Sequence, residues 1–496
     1  MTFNSLSFQR KLESSDFGLL CFVPVFHRRS NNVVGTMPEN LRILLVNAIN
    51  PNVEVEARYP NLGLGYLAAS VRKALPELPV LFRVADRDVQ GALSRFRPHI
   101  VGVSSVSQNF DIAKAYADLA ARTGAAVVMG GVHISALPAL LPASASAACL
   151  GESEDTFVDV IKAYLGGGLT PDTLAGVAGV AYREGEAVRL TGPRPPRLEL
   201  DTIPMPARDL FRVASHTYMF TSRGCPFKCA FCSSSRYWGR LRLFSAGYVV
   251  DEVGMLARDH GVDMISFYDD LFVASVKRVE EVVRLLEAGG LIGKVRFTCS
   301  CRANVVNPEL AKLLRRMGVV SVGMGLESGD EETLRYLKGG NISVAHNHAA
   351  VDMLKAEGLA VNASFVIGSP DEPREAVMRT YEFIKKSRLD LFDVYLLTPF
   401  PGTPVWGDAK GRGLVTDDMP DWSVLDVNVY RAPDKAVIMS KTMGRDEVVS
   451  LYRKFRRMRL WRNLIKSVNH PLMRDLPKMA VRALVERLSG VFGRRA

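Results

Sequence analysis

The sequence lacks any run of about 18 consecutive apolar residues, although hydrophobic residues make up 48% of its 496 positions. A membrane-spanning helix is therefore not expected, and the apolar residues are available for the cores of two or three domains. Cysteine is also scarce, and three of the seven cysteines lie close together in residues 225–232. This distribution does not resemble a disulfide framework. It predicts metal binding and a reducing, cytoplasmic location.

Net charge is absent from most of the chain. The formal charge of +11 resides in residues 441–496, which hold 15 Lys or Arg and 4 Asp or Glu, whereas the remainder holds 48 of each. The basic segment has no nucleic-acid recognition motif, and the neutral remainder offers no second basic patch. A nucleic-acid partner is therefore not expected.

The first 37 residues lack a sustained helical or strand period. Residues 19–26 are apolar, but this segment is too short and too far from a basic start to form a good signal peptide. We expect residues 1–37 to be a disordered or wrongly annotated extension, with Met37 as an alternative start.

The clustered cysteines are Cys225, Cys229 and Cys232, spaced as Cys-x3-Cys-x2-Cys within TSRGCPFKCAFCSSS. Three thiolates on one loop can hold three irons of a cubane and leave the fourth iron open, whereas closed clusters take four thiolates. Zinc is the alternative metal, but a structural zinc site needs a fourth ligand, and His216 lies outside the usual spacing. Three unrelated buried cysteines are the remaining alternative.

The segment GCPFKCAFC, with the aromatic Phe231 before its last cysteine, resembles the cluster motif of radical S-adenosylmethionine (SAM) enzymes. The resemblance implies that the open iron of a 4Fe–4S cluster chelates the amino and carboxylate groups of SAM. An electron from the cluster then cleaves SAM to methionine and a 5′-deoxyadenosyl radical. The resemblance also implies an external electron donor of the flavodoxin or ferredoxin type.

Buried-strand patterns alternate with helical patterns from residue 41 to about residue 165, which predicts a doubly wound, Rossmann-like parallel sheet. Ligands of such sheets bind at the carboxyl ends of the strands. The polar or small residues expected at those ends are Asn47, Ser104, Ser105, Gly130, Gly131 and His133, the last placed in a Gly-Gly loop.

Residues 38–165 resemble the cobalamin-binding domain that precedes many radical SAM enzymes, through NLGLGYLAA, VGVSSVS, VVMGGVHIS and CLGESE. The Asp-x-His-x-x-Gly motif, whose His binds cobalt from below, is absent. The resemblance therefore implies base-off cobalamin without a protein His ligand, held by the strand-end residues named above. A sheet domain that binds nothing is the alternative.

Residues 166–215 are expected to form a hairpin and a proline-rich linker, because proline fixes φ and removes a hydrogen-bond donor. From residue 216 to 410, about six strand–helix units follow, which matches the partial (β/α)6 barrel of the radical SAM family. Chemistry in such barrels occurs at the carboxyl ends of the strands. Residues 411–496 form the C-terminal region.

The barrel's predicted strand ends supply candidate SAM ligands. Asp269 and Asp270 offer carboxylates to the methionyl ammonium, and Arg302 could pair with the methionyl carboxylate. Glu327 and Ser328 resemble the family's fourth-strand motif. Gly368 leaves room for adenine, and Pro399 resembles the segment beside it. For each residue, capping a helix or closing a turn is the alternative role.

Two features outside these sites remain open from the sequence. Cys299 and Cys301 alternate along one strand and should face the same side, either in the core or as redox-active thiols. The tail predicts a basic amphipathic helix, which either docks on the barrel or lies on an anionic membrane surface.

The resemblance as a whole implies a C-methyltransferase in which cobalamin supplies the methyl group and a second SAM restores it. The expected substrate is a small or lipid-like molecule with an unactivated carbon. Oxidative cyclisation or rearrangement with the same cofactors is the alternative reaction. A non-catalytic cobalamin or redox sensor is the alternative from another class.

Overall fold

The computed structural model describes residues 40–50, 60–273, 275–427 and 433–466. The predicted N-terminal extension, residues 1–37, and the last 30 residues of the basic tail lie outside these ranges. None of the helices in the described ranges is long and apolar enough to cross a membrane.

The first half of the chain forms a seven-stranded sheet with the order β2-β1-β3-β4-β5-β6-β7. Its strands are β1 (Leu41–Asn47), β2 (Val80–Ala85), β3 (Ile100–Ser104), β4 (Ala126–Gly130), β5 (Ala147–Cys149), β6 (Val180–Glu184) and β7 (Ala187–Leu190). The first five strands are parallel, and β6 and β7 are antiparallel. The predicted hairpin thus extends this sheet.

Helices cover both faces of the first sheet, as the doubly wound pattern predicts. They are α1 (Leu62–Ala74), α2 (Val89–Phe96), α3 (Phe110–Ala121), α4 (Val132–Ala136), α5 (Glu154–Gly167) and α6 (Pro171–Leu174). Alternate residues of β1 enter two different cores, because successive side chains point to opposite faces. The strand order reverses between β1 and β3, the point at which ligands of such sheets bind.

The second half forms a six-stranded, wholly parallel sheet with the order β15-β14-β13-β12-β11-β8. Its strands are β8 (His216–Met219), β11 (Met264–Phe267), β12 (Arg296–Cys301), β13 (Val319–Glu327), β14 (Ala360–Ile367) and β15 (Leu391–Leu396). A short ribbon of β9 (Ser222–Arg223) and β10 (Arg242–Leu243) flanks the cysteine loop. The predicted architecture of a doubly wound sheet followed by a partial barrel is confirmed.

Helices of the second half alternate with its strands. They are α7 (Ser234–Tyr237), α8 (Ala246–His260), α9 (Val276–Ala288), α10 (Pro308–Met317), α11 (Glu331–Lys338), α12 (Val344–Ala356), α13 (Arg374–Lys386), α14 (Pro404–Gly411) and α15 (Arg445–Lys466). The segment after β15 returns to the first sheet, where Trp406 and Trp422 share a core with α3. The two sheets are therefore joined by a common apolar core.

The basic tail docks on the barrel through α15. Its apolar stripe is buried, since Val448, Leu451, Tyr452 and Phe455 are at most 3% exposed within the barrel's core. Arg459 of the same helix pairs with Asp393 of β15 at 2.7 Å. The described part of the stripe is thus covered by the barrel, as the docking interpretation predicted.

Truncating Phe455 tests this docking. The side chain is fully buried and its ring centroid lies 5.3 Å from that of Tyr381, so Phe455→Ala should lower the free energy of unfolding by about 3 kcal/mol. Trp461, on the same helix, is 68% exposed. Trp461→Ala should therefore change the free energy of unfolding by no more than about 0.5 kcal/mol. Denaturant titration measures both, and equal effects would contradict the docking.

Candidate active site

The carboxyl ends of the two sheets border one cavity of about 550 Å³. Five residues predicted at the strand ends of the first sheet line it, namely Asn47, Ser104, Ser105, Gly130 and Gly131. The barrel contributes Tyr218, Phe220, Tyr268 and Asp270, which follow or end β8 and β11. The cavity therefore lies where a ligand of the first sheet would meet the mouth of the barrel.

The wall from the first sheet is a row of aligned strand ends. Asn47 pairs with Ser104 across β1 and β3, and Ser104 pairs with Gly130 across β3 and β4. The adjoining Gly131 has φ 97°, and a Cβ there would lie 2.4 Å from the carbonyl oxygen of Ser105. Only glycine fits this close crossing of two backbones.

This wall suits a bulky polar ligand. Gly130 faces open space, because an ideal Cβ built there meets no atom within 4 Å. The buried hydroxyl of Ser105 has no hydrogen-bond partner in the protein. Buried polar groups usually have a partner, so this hydroxyl favours a ligand at the wall. Both observations fit the cobalamin predicted here.

His133 is not part of the cavity wall, contrary to its predicted position in a loop. It lies in α4, fully buried, with its ring centroid 4.0 Å from that of Phe110 and 4.3 Å from that of Trp422. Its Nδ1 lies 3.1 Å from the hydroxyl oxygen of Ser107, and burial lowers its pKa to about 3. The side chain is a neutral core residue.

The cysteine loop is held from both sides. Arg236 donates to the carbonyl oxygens of Cys229 at 3.1 Å and Cys232 at 2.7 Å, and the amide of Ala230 donates to the carbonyl oxygen of Leu337 at 2.9 Å. The three cysteines are half-buried, and burial raises the pKa values of Cys225 and Cys232. Phe231, the predicted aromatic, packs against the core that contains Leu337.

Two kinds of metal site were predicted as alternatives for this loop, an iron–sulfur cluster and a zinc ion. Within the described ranges, no three His, Cys, Asp or Glu side chains are grouped closely enough to hold a single metal ion. A cubane distributes its protein thiolates over separate irons, so they need not meet at one ion. Ligation of a cluster by Cys225, Cys229 and Cys232 stays a prediction.

Arg302 lies beneath the cysteine loop. Its Nη1 is 3.7 Å from Sγ of Cys229, its guanidinium carbon is 3.8 Å from the centroid of the Phe227 ring, and Nη2 donates to the carbonyl oxygen of Lys338 at 3.1 Å. The predicted pairing with the methionyl carboxylate stays a prediction. In this structure the guanidinium group of Arg302 lies next to the thiol of Cys229.

The two predicted aspartates have different environments. Asp269 is buried, and its carboxylate accepts hydrogen bonds from the amide of Thr221 at 2.7 Å, the hydroxyl of Thr221 at 2.6 Å and the amide of Ser222 at 2.8 Å. Asp269 thus anchors the segment that leads to the cysteines. Asp270 accepts from the hydroxyl of Ser234 at 2.6 Å and lines the cavity. Asp270 is therefore better placed to meet a ligand.

The environments of Glu327 and Ser328 also differ from each other. Glu327 has φ 61°, at an irregularity in the pairing of β13 with β14, and backbone strain of this kind concentrates at functional sites. Burial raises its pKa, although Lys338, with Nζ 3.7 Å from its Oε1, partly offsets the rise. Ser328 is fully buried, and its hydroxyl accepts from the amide of Asp330 at 3.1 Å. That hydroxyl caps a turn.

Gly368 follows β14 directly and has φ 84°, and its amide donates to Oε2 of Glu372 at 2.7 Å. Burial raises the pKa of Glu372 to about 7, although the amides of Ser369 and Gly368 oppose the rise. Sequence reasoning missed Glu372, whose only signal was its place in FVIGSPDE. Pro399 is buried between β15 and α14.

The cysteines of the described ranges that lie outside the loop are core residues. Cys299 and Cys301 are 5% and 4% exposed and lie on one face of β12, as predicted, within the barrel's outer core. Burial raises the pKa of both thiols. The opposite face carries Thr298, whose hydroxyl donates to the hydroxyl of Ser266 in β11, and Ser300, whose hydroxyl donates to the carbonyl oxygen of Asp269 after β11. The structure therefore favours the packing role over the redox role.

Sequence reasoning also missed four charged residues, three of which line the cavity. They are Glu152, Glu154, Arg223 and Arg242, which form a buried set of ion pairs. The motifs CLGESE and TSRGC contain three of them, but each motif had been assigned to a different domain. Their contact could be seen only once the two sheets were assembled.

Two family models match the chain. The model of the radical SAM superfamily matches residues 219–384, and the model of the B12 binding domain matches residues 51–161. An uncharacterised methyltransferase of Pyrococcus horikoshii is 33% identical over 373 residues, covering 72% of this chain and 80% of the relative. An anaerobic magnesium-protoporphyrin IX monomethyl ester cyclase of Cereibacter sphaeroides is 25% identical over 400 residues, covering 76% and 65%.

A solved structure shares the fold. The radical SAM methyltransferase TsrM from Kitasatospora setae, with cobalamin and a 4Fe–4S cluster bound, superposes with a TM-score of 0.62. The match covers 74% of this chain and 75% of that one at 20% sequence identity.

Proposed function

Because the chain belongs to the cobalamin-dependent radical SAM enzymes, we propose that it transfers a methyl group to an unactivated carbon of a small or lipid-like substrate. The cofactors of this family are a 4Fe–4S cluster, SAM and cobalamin. When bound, the cluster supplies the electron that cleaves SAM, and cobalamin carries the methyl group. The observation that carries the proposal is a cavity that the carboxyl ends of both sheets border.

Residues of this chain would position the cofactors. Cys225, Cys229 and Cys232 would hold three irons of the cluster, and Arg302 would place a positive charge beside the Cys229 thiolate. Asp270 and the strained Glu327 are the strongest candidates for contacts with SAM. These assignments fit the common pattern in which the protein positions the cofactors and the cofactors supply the difficult chemistry.

The cobalamin would lie on the row of strand ends in the first sheet. Gly130 and Gly131 would leave space for it, and the free hydroxyl of Ser105 would accept or donate a hydrogen bond. The substrate would then lie between this wall and the barrel, beside Phe220 and the half-exposed ring of Tyr268. Two aromatic rings at this place support an apolar substrate.

Supply of electrons and contact with a membrane are further parts of the proposal. A small flavodoxin- or ferredoxin-type protein would reduce the cluster. Any membrane face of α15 would have to use its uncovered residues, of which Leu460 and Trp461 are 59% and 68% exposed. The buried stripe up to Phe455 is not available for it.

The deciding experiment uses protein reconstituted anaerobically with iron, sulfide and cobalamin, and SAM labelled on its methyl group. Reduced enzyme incubated with small-molecule and lipid extracts should form 5′-deoxyadenosine and transfer the labelled methyl to one compound, as detected by mass spectrometry. Formation of 5′-deoxyadenosine with an unlabelled, oxidised product would favour the cyclase reaction named for the Cereibacter relative. Absence of 5′-deoxyadenosine would favour the sensor.

A further inference from the structure

Four charged side chains connect the first sheet to the cysteine loop. Glu152 and Glu154 follow β5 at the start of α5, and Arg223 lies in β9, two residues before Cys225. Nη1 of Arg223 donates to Oε2 of Glu152 at 2.7 Å, and Nη2 donates to Oε1 of Glu154. Arg242, paired with Arg223 across β9 and β10, donates to Glu152 at 3.0 Å.

This network is buried and electrically balanced. The four side chains are between 3% and 11% exposed, and two carboxylates face two guanidinium groups. Burial alone would raise the pKa of Glu154, but the charge of Arg223 holds it below its usual value. Removing one partner would leave an uncompensated charge in the interior, which is strongly unfavourable.

Aromatic rings fix the orientation of Arg223. Its guanidinium carbon lies 5.5 Å from the ring centroid of Tyr66 in α1 and 5.2 Å from that of Trp238, next to α7. The hydroxyl of Tyr237 also donates to the carbonyl oxygen of Gly151 at 2.7 Å. The loop after β5 is thus bonded to Arg223, which precedes the three cysteines, and to Tyr237, which follows them.

The same residues border the proposed cobalamin cavity, since Glu152, Glu154 and Arg223 all line it. We propose that Arg223, Glu152 and Glu154 are positioning residues that set the distance and orientation of the iron–sulfur cluster relative to cobalamin. A rigid link is needed there because reacting groups must be aligned closely, and a misplacement of about 1 Å can cost about 100-fold in rate. This inference rests on the proposed function, which assigns the cluster and cobalamin to these two elements.

The test measures the spacing of the two cofactors directly. Both the reduced cluster and cob(II)alamin are paramagnetic, so pulsed dipolar electron paramagnetic resonance reports the distribution of distances between them. Glu154→Gln keeps the shape and removes one charge, and Arg223→Lys keeps the charge and removes the forked geometry. Asp155→Asn is the matched control, because Asp155 is the next residue and pairs with Arg197 of the linker, both about one-third exposed.

Parent and control should give one narrow distance distribution. Glu154→Gln and Arg223→Lys, loaded with iron and cobalt to the parent's content, should give a broadened or shifted one. Transfer of the labelled methyl should fall about 100-fold in both variants, while formation of 5′-deoxyadenosine changes little.

A distribution identical to the parent's in both variants overturns the inference. It is also overturned if both lose iron or cobalt, which would assign the network to cofactor retention, or if the control broadens equally. Metal analysis of the parent comes first, because a parent that binds no cluster or no cobalamin refutes the proposed function instead.

Discussion

Replacement of Cys229 by alanine is expected to abolish the visible absorbance of the iron–sulfur cluster and the reductive cleavage of SAM. Cys229 would hold one iron of a cluster that has only three protein thiolates, and its neighbour Arg302 would lose the thiolate 3.7 Å away. Absorbance spectroscopy and iron analysis after anaerobic reconstitution measure the first effect. Quantification of 5′-deoxyadenosine after reduction measures the second.

Cys299→Ala provides the matched control, because this thiol is buried in the barrel's outer core and lies outside the cysteine loop. It should retain both the cluster and SAM cleavage, at a cost of about 1 kcal/mol in stability for the small cavity created. Full SAM cleavage by Cys229→Ala would refute the assignment of the cluster loop. Equal losses in both variants would point to a general folding defect.

The alternation of strands and helices in the barrel could be predicted because several helix ends carry local signals. In α8, the side chain of Ser245 accepts from the amide of Tyr248, and Gly261 ends the helix with φ 63°. Serine caps and left-handed glycines act within a few residues, so the sequence alone reveals them. The end signals of helix α2 are weaker, because the helix has only eight residues, contains Gly91 and begins after Asp88 at φ 46°.

The edge of the sheets that borders the cavity was predictable, but the direction of individual side chains was not. Parallel sheets bring the carboxyl ends of their strands together, which correctly placed Asn47 and Asp270 at one cavity. Within a few residues of such an end, tertiary contacts decide orientation. His133 therefore packs on Trp422, from a distant part of the chain, and Asp269 binds the backbone of Thr221.

The C-terminal tail also shows that tertiary contacts cannot be read from a local pattern. Its amphipathic pattern identified the helix but not the surface that covers the apolar stripe, because a barrel and a membrane select the same pattern. Tertiary contacts such as the packing of Phe455 against Tyr381 distinguish the two surfaces for the described residues. The four-residue ion network was hidden for a related reason, since its partners are about 70 residues apart in the chain.

Replacement of Gly130 by leucine is expected to weaken cobalamin binding without unfolding the protein. An added Cβ meets no protein atom within 4 Å, so the cobalamin-free variant should differ from the parent by less than about 1 kcal/mol in unfolding free energy. The side chain would instead enter the cavity where the strand ends of β1, β3 and β4 align. Overpacking by about 1–3 kcal/mol would weaken binding about 10- to 100-fold.

Titration with hydroxocobalamin, followed by absorbance and by cobalt content after gel filtration, measures this loss. Gly166→Leu is the control, because Gly166 lies exposed near the end of α5 and an added Cβ there also meets no atom within 4 Å. It should bind cobalamin like the parent. If Gly130→Leu bound cobalamin like the parent, the proposed cobalamin site at the aligned strand ends would be wrong. The substrate would then no longer be expected between the two sheets.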